Sequence, residues 1–316
     1  MMDSMNSEIK VSVCVVTYNQ EKYIGDAVMS AVNQDVGFNY EILIADDAST
    51  DSTKSIITEL AAKYPTLIRL IVRKNNLGPA KNIIDLYKEA RGRYIAHVDG
   101  DDILSPDKIL RQVEVLDSHS DVFFCTHDVN VISSEGNILR HSYRRWPEGM
   151  HTTFELLSQL PFFAHSSKMF RNNVPEDCWD RLYFDGMVDI EMHFEHSLLG
   201  CSYHLDKVLG SYRAFSGVAV EGGVINKSVV EANKRVYASA KLIFPDKKID
   251  IQNLYGKSLT KYAFVSSYIG AYSDATRFAR QSMIAGRYGW VNLFIFIWPR
   301  LFGKVISMRE KFKRFF

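Results

Sequence analysis

The sequence predicts an α/β domain with a mostly parallel sheet, continued by a helical C-terminal region. Three observations carry that reading. Short apolar, β-branched runs alternate with helical patterns four times up to about residue 120, the order that builds a parallel sheet with helices on its faces. The runs are apolar on consecutive residues, as expected of strands covered on both sides. From about Lys227 onward only helical periodicity remains.

Val11 to Thr17 (VSVCVVT) is the first such run. It ends in Tyr18-Asn19-Gln20-Glu21 and gives way to a helical stripe of Ile24, Ala27, Val28, Ala31 and Val32. Glu41 to Ala45 (EILIA) is the second strand, stopping at the turn and helix-cap cluster Asp46-Asp47-Ala48-Ser49-Thr50-Asp51-Ser52. A helix with Ile56, Ile57, Leu60 and Ala61 leads to a third strand, Leu67 to Val72, then to Asn75-Asn76-Leu77-Gly78-Pro79 and a helix with Ile83, Ile84, Leu86 and Tyr87. The fourth strand begins at Tyr94 and runs into Asp99-Gly100-Asp101-Asp102. Ser105-Pro106 then predicts a helix start, as cap and first helical residue.

In an open parallel sheet, ligands bind outside the carboxyl ends of the strands, and all four of these ends are polar. The fourth is the most telling. Three carboxylates within four residues raise one another's pKa unless a cation sits among them. Oxygen donors of this kind suit a hard divalent ion, Mg²⁺ or Mn²⁺, shared with substrate phosphates. Taken alone, a solvated acidic turn explains them better. Gly100 is expected to permit the tight turn.

The chain has 316 residues, with 38 basic against 37 acidic side chains, a balance that gives no reason to expect nucleic acid as a partner. Four scattered cysteines (Cys14, Cys125, Cys178, Cys201) without C-x-x-C spacing read as buried free thiols. The polar N-terminus, Met1 to Lys10, lacks an apolar leader, and no stretch has the roughly 18–20 apolar residues of a membrane span. Both predict a cytoplasmic chain.

The segments VSVCVVTYNQEKYI, EILIADDASTDST, NNLGPAKN and YIAHVDGDD, in this order and spacing, resemble the inverting family 2 nucleotide-sugar glycosyltransferases of the GT-A fold. The likeness is closest over residues 9 to 120 and looser to about 215. It departs from the family's pattern at Val16, often Pro there, and at Lys81, often Arg, which keeps the charge and loses the guanidinium fork. The resemblance implies a GT-A domain over 1–220 and a separate helical region over 227–316. It implies a nucleotide-diphospho-sugar site of Thr17, Tyr18, Asn19, Glu21, Asp46, Asp47, Lys81, Asp99, Gly100 and Arg213, with Asp46 on the base, usually uracil. It implies Mn²⁺ or Mg²⁺ on Asp101 and Asp99. His97, inside its strand, reads as packing.

Val122 to His127 (VFFCTH) is a further strand, extended by Val129 to Ile132, and Thr153 to Leu160 a short helix. His141 to Met150 is a surface loop or a loop beside the acceptor or diphosphate. Phe162 to Arg171 resembles the family's return to the sheet, with His165 and Ser166 expected to be structural. Inverting transfer needs a carboxylate to take the acceptor's proton. The resemblance implies Asp189 for it, at the start of a helix with Ile190, Phe194 and Leu198, with Glu191 and Asp185 as rivals. Acids in a first helical turn are also favoured by the helix dipole alone. His193 and His196 lack HExxH spacing and read as surface or packing residues. Tyr212-Arg213 resembles the pair that closes the family's catalytic domain, although Phe215 and Ser216 depart from the family's pattern just beyond it. Arg213 either meets the diphosphate or pairs with an acid.

Val229 to Phe244, Ile251 to Tyr272 and Ser273 to Ala285 predict three helices. An aromatic stretch, Tyr288 to Ile306, is interrupted by Pro299-Arg300. The end, Arg300 to Phe316, sets Arg300, Lys304, Arg309, Lys311, Lys313 and Arg314 against Glu310 alone. Basic residues beside Trp and Phe suit a helix lying on an anionic membrane surface, at the cytoplasmic face; a helix packed on its neighbours with a solvated basic face accounts for them equally. The implied activity is metal-dependent inverting transfer of a sugar from a nucleotide sugar, UDP before dTDP or GDP. The acceptor is a saccharide or lipid-linked saccharide, in surface polysaccharide, O-antigen or capsule synthesis. A sugar nucleotidyltransferase is the alternative, opposed by Thr17-Tyr18-Asn19 where a Gly-rich basic loop would stand. A non-catalytic sugar-nucleotide-binding partner is the other.

Overall fold

The computed structural model describes residues 8–143, 146–159, 163–214, 220–221, 224–287 and 289–313. Arg144, Arg145, Leu160, Phe162, Phe215, Ser216, Tyr288, Arg314 and Phe316 of the sequence readings lie outside them. The chain divides into two compact units, one of residues 1–156 and 161–216, the other of residues 157–160 and 217–316.

The first unit opens with β1 (Val11–Thr17), α1 (Ile24–Val32), β2 (Tyr40–Asp46), α2 (Thr53–Lys63), β3 (Ile68–Val72), α3 (Pro79–Lys88) and β4 (Tyr94–Asp99). It continues with β5 (Ile103–Leu104), α4 (Lys108–Ser118), β6 (Val122–Ile132), β7 (Ile138–Arg140), β8 (Gly149–His151) and the start of α5 (Thr153–Gln159), whose residues from Leu157 belong to the second unit. A 3-10 turn (His165–Ser167), β9 (Met169–Arg171), α6 (Glu176–Leu182), α7 (Asp189–Ser197) and β10 (Cys201–Arg213) complete it. The sheet runs β3-β2-β1-β4-β9-β6-β10-β5, with β7 on β6 and β8 on β10. The β3-β2-β1-β4 half is parallel throughout. β9 then inserts antiparallel between β4 and β6, and β6 pairs parallel with β10.

The parallel half follows from its composition. Val11, Val13, Val15, Ile42, Ile44, Ala96 and Val98 are buried in one core with Ile24, Val28 and Ile57 of the covering helices. Burial of one such aliphatic side chain is worth about 1.5–3 kcal/mol. Register places the strand ends side by side, with Thr17 opposite Asp46 and Val16 opposite Asp99.

One helix start differs from expectation. α4 begins at Lys108, not at Pro106, with Asp107 as its cap residue. The end of α1 explains it. The Asp35 N–H donates to the Pro106 carbonyl at 2.8 Å, and Gln34 Nε2 donates to the Ser105 carbonyl at 2.8 Å. Gln34 Oε1 accepts the Ile109 N–H at 3.1 Å, satisfying a first-turn donor from outside the helix.

The second unit holds the short pair β11 (Val220–Glu221) and β12 (Val224–Ile225), then α8 (Lys227–Ile243), α9 (Lys248–Tyr268), α10 (Tyr272–Ile284), α11 (Trp290–Ile297) and α12 (Pro299–Lys313). It has its own core of Leu259, Ala263, Ala275, Phe278, Ala279, Ala285 and Ile295. No described helix is long and apolar enough to cross a membrane.

Candidate active site

The site assembles at the carboxyl ends of β1, β2 and β4. The β1 end is tied to the loop after β2. The Asn19 N–H donates to Ser49 Oγ at 2.9 Å, and Asn19 Oδ1 accepts the Thr50 N–H at 2.8 Å. Glu21 Oε2 accepts the Ser52 N–H at 2.9 Å. Asn19 has φ 52°, a conformation Asn tolerates better than most residues. Tyr18 is exposed.

Asp46 and Asp47 do different jobs, and neither caps α2, whose cap residue is Ser52. Asp46 is fully buried and its carboxylate accepts the Ser49 N–H and hydroxyl. Asp47 accepts the Leu77 and Gly78 N–H groups at 2.7 and 3.0 Å, pinning the loop after β3. Lys81, just beyond that loop, pairs with the exposed Asp185 at 3.0 Å, whose hydrogen bond and charge raise the lysine's pKa.

The carboxylate turn after β4 is held from four directions. The Gly100 N–H donates to the Val16 carbonyl at 2.9 Å. The Asp99 N–H donates to Ser166 Oγ at 2.9 Å, and that hydroxyl donates back to Asp99 Oδ2 at 3.2 Å. His97 Nε2 lies 3.1 Å from Asp99 Oδ1, while Tyr87 Oη sits 2.7 Å from His97 Nδ1. Arg213 closes the turn: its N–H donates to Asp102 Oδ1 at 2.9 Å and its Nε to the Asp101 carbonyl at 3.0 Å. Its Nη1 reaches the Ser133 and Ser134 carbonyls at 2.7 and 3.1 Å, and the guanidinium lies over the Tyr23 ring. Arg213 is thus a clamp on backbone carbonyls beside the site.

Asp102 is buried, and its Oδ2 has no hydrogen-bond partner. Burial, then the charges of Asp99 and Asp101, push its carboxyl well above the usual carboxylate range. An orphan buried oxygen among three carboxylates fits a divalent cation, which would offset that repulsion. A second group of donors stands behind Asp99: ligand atoms of His97, Asp99 and His165 lie within 4.8 Å of one another.

The three acids before and on α7 are also distinct. Asp185 is exposed and paired with Lys81. Glu191 is buried, and its Oε2 accepts the Val188 N–H at 3.0 Å, a cap on its own helix. Asp189 is half-buried; Oδ1 accepts the Ile190 N–H at 2.8 Å, and Oδ2 lies 3.7 Å from His193 Nε2. Burial alone would raise the Asp189 carboxyl, but His193 beside it and the Ile190 N–H more than offset that and hold it below the usual range.

Sequence reasoning passed over His97, Ser166 and His193 as packing, structural or surface residues. All three are buried, and each touches an acid of the site. Two were within reach of simple periodicity. Residues i and i+2 share one face of a strand, as His97 and Asp99 do, and i and i+4 share one face of a helix, as Asp189 and His193 do. Ser166 had no such signal, because it meets Asp99 across 67 residues.

A sheet with a parallel β3-β2-β1-β4 half, whose strand ends present buried acids and a carboxylate turn, is the arrangement of the GT-A fold class. The chain belongs to that class's glycosyl transferase family 2, whose model matches residues 12–179. An uncharacterized protein of Mycobacterium tuberculosis is 44% identical over 209 residues, covering 64% of this chain and 58% of that one. Chondroitin synthase of Escherichia coli is 32% identical over 204 residues, 63% of this chain and 28% of that one. The match thus spans little more than half of the first relative's length, and less than a third of the second's. Among solved structures, Staphylococcus aureus TarS 1–349 in complex with UDP-GlcNAc superposes with a TM-score of 0.62 at 17% identity, covering 95% of this chain and 92% of that one. The Pyrobaculum calidifontis mannosyltransferase PcManGT, in complex with GDP-Man and Mn²⁺, gives 0.54 at 16%, covering 97% and 89%. At these identities the two structures show the shared fold.

Proposed function

We propose that this glycosyltransferase moves a sugar from a UDP-sugar to a hydroxyl of a saccharide or lipid-linked saccharide, with inversion, in bacterial-type surface polysaccharide synthesis. The observation that carries the reading is the Asp99–Asp102 turn, with its crowded carboxylates and orphan oxygen, at the ends of β1 and β4. That TarS binds UDP-GlcNAc on the same fold supports a uridine donor here. Asp101 and Asp99 would hold Mn²⁺ or Mg²⁺, which when bound neutralises charge on the leaving diphosphate.

The chain's own groups do the rest. Thr17, Tyr18, Asn19, Glu21, Asp46 and Asp47 line or brace the nucleotide side. Lys81 supplies a positive charge near it, and Arg213 fixes the carboxylate turn. Asp189 takes the proton of the acceptor hydroxyl as it attacks the anomeric carbon from the face opposite the diphosphate. Its half-exposure and low pKa keep it ionised and reachable, whereas Glu191 is committed to its own helix and Asp185 to Lys81. A membrane-facing C-terminal region, at the cytoplasmic face, would bring the enzyme to a lipid-linked acceptor.

UDP release from a panel of nucleotide sugars, with Mn²⁺ and with or without saccharide acceptors, tests this. At least one UDP-sugar is expected to turn over. Asp189→Asn should lower transfer about 10²–10⁴-fold while UDP still binds. Turnover of GDP- or dTDP-sugars alone would overturn the donor reading, and near-normal transfer by Asp189→Asn would overturn the base.

A further inference from the structure

We infer that the imidazoles of His97, His165 and His193 form a positioning row between the two acids of the site, fixing the Asp189 carboxylate relative to Asp99, with His193 the member that touches Asp189. The inference rests on reading Asp189 as the base.

The row is continuous. His97 Nε2 is 3.1 Å from Asp99 Oδ1. The His97 and His165 rings stack at 3.7 Å with planes 19° apart. His165 meets His193 edge-on at 5.1 Å, and His193 Nε2 is 3.7 Å from Asp189 Oδ2. Each ring comes from a different element: β4, the 3-10 turn and α7. The same 3-10 turn places Ser166 on Asp99. One short segment therefore braces the metal-side acid with its hydroxyl and the row with its imidazole.

Lys168 backs the row. It is fully buried, lies over the Phe124 and Phe170 rings, and has its Nζ 3.3 Å from His193 Nδ1. With Nζ as the donor, Nδ1 accepts and the ring proton sits on Nε2, facing the Asp189 carboxylate. Burial lowers Lys168 far below its ordinary pKa and His193 to about 4, so the His193 ring is neutral near pH 7. His193 thus orients the acid with an N–H dipole and shape, without supplying a full charge.

The arrangement is costly as mere packing. His165 Nε2 is buried without a hydrogen bond, and His193 Nε2 has only its 3.7 Å approach to Asp189; poorly paired buried polar groups cost stability that apolar side chains of the same volume would not. Such a cost, located between two acids of an active site, is what a positioning role explains.

The test compares two polar variants in the full-length protein. His193→Gln keeps a side-chain N–H near the reach of Nε2; His193→Asn falls short of it. With the best nucleotide sugar from the panel, His193→Asn is expected to lower kcat about 10–100-fold with donor KM and UDP affinity unchanged. His193→Gln should recover most of the rate. Equal losses in both variants, or losses that follow UDP affinity, would reduce the row to packing and overturn the inference. Normal kcat in both, with Asp189→Asn inactive, would overturn the row and leave the base standing. An active Asp189→Asn would remove the base itself.

Discussion

At the scale of single residues, the site separates acids that look alike in sequence. Asp99, Asp101 and Asp102 stand within one turn, yet Asp102 accepts the Arg213 N–H on Oδ1 alone and is pushed towards neutrality by burial and its neighbours, while Asp99 is held on both oxygens by His97 and Ser166. Asp101 has its backbone carbonyl on Arg213 Nε, which leaves its position in the turn fixed through the main chain. Asp101→Ala should therefore leave the fold in place and abolish the Mn²⁺ dependence of UDP binding. Calorimetric titration with UDP, with Mn²⁺ or with EDTA, checks this, and an unchanged affinity with Mn²⁺ would remove Asp101 from the metal site. The acids themselves were legible in the sequence, because charge clusters at strand ends stand out against apolar runs. Their partners were less so. Arg213, 112 residues from Asp101, is singled out only by the family's Tyr-Arg pair, and Ser166, 67 residues from Asp99, is expected to be merely structural, because no local pattern encodes a contact made by the sheet's topology.

At the scale of elements, the β4 turn shows how a correct expectation can have the wrong cause. Gly100 is expected for its freedom in a tight turn, but it does not occupy the left-handed region. Space is the reason. A Cβ there would stand 2.5 Å from Gln20 Oε1, 2.9 Å from the Val16 carbonyl oxygen and 3.0 Å from Thr17 Cβ. Gln20 can swing aside, but the Val16 carbonyl receives the Gly100 N–H and is fixed in β1. Gly100→Ala should thus push β4's carboxylate turn off β1, at about 1–3 kcal/mol for overpacking, and weaken UDP binding with it. Thermal unfolding beside UDP titration measures both effects, and an unchanged midpoint with unchanged affinity would show that the turn has slack. The start of α4 makes the complementary point. Ser105-Pro106 carries the right residue types, yet Gln34 and Asp35 capture their carbonyls, so tertiary contacts move the boundary by two residues. β9 is a harder case: a three-residue antiparallel insertion is too short for any periodicity to announce.

At the scale of the whole molecule, the parallel half of the sheet buries its apolar strands, and α11 of the helical unit instead turns an apolar face outward. The single polar side chain of WVNLFIFI, Asn292, is buried, with Nδ2 donating to Ser282 Oγ and the Arg287 carbonyl at 3.0 Å each. Trp290 is 86% exposed, and Val291, Leu293, Phe296 and Ile297 are exposed with it. Trp298, Leu301 and Val305 continue the exposure onto α12 beside Arg300 and Lys304. Ile284, 71% exposed, lines one depression with Phe296, Arg277 and Arg280 and another with Ile249, Lys241 and Lys248. Apolar surface rimmed by basic residues suits the interface of an anionic bilayer, where each Lys or Arg adds about 1 kcal/mol. From sequence this property belongs to the aromatic stretch from Tyr288 and the basic end after Arg300; the exposed apolar surface also takes in Ile284 on α10. Vesicle binding decides it. Of the four tryptophans, Trp146 and Trp179 are buried, so a blue shift of fluorescence on mixing with phosphatidylcholine–phosphatidylglycerol vesicles would come from Trp290 and Trp298. The shift should be absent with phosphatidylcholine alone, weaken with added salt, and disappear together with cosedimentation in a Trp290→Ser/Trp298→Ser variant. Loss of binding on reversing Arg309, Lys311 and Lys313, with the Trp variant still bound, would return the membrane contact to the tail. Concentration-dependent self-association without vesicle binding would assign the face to a second copy of the chain.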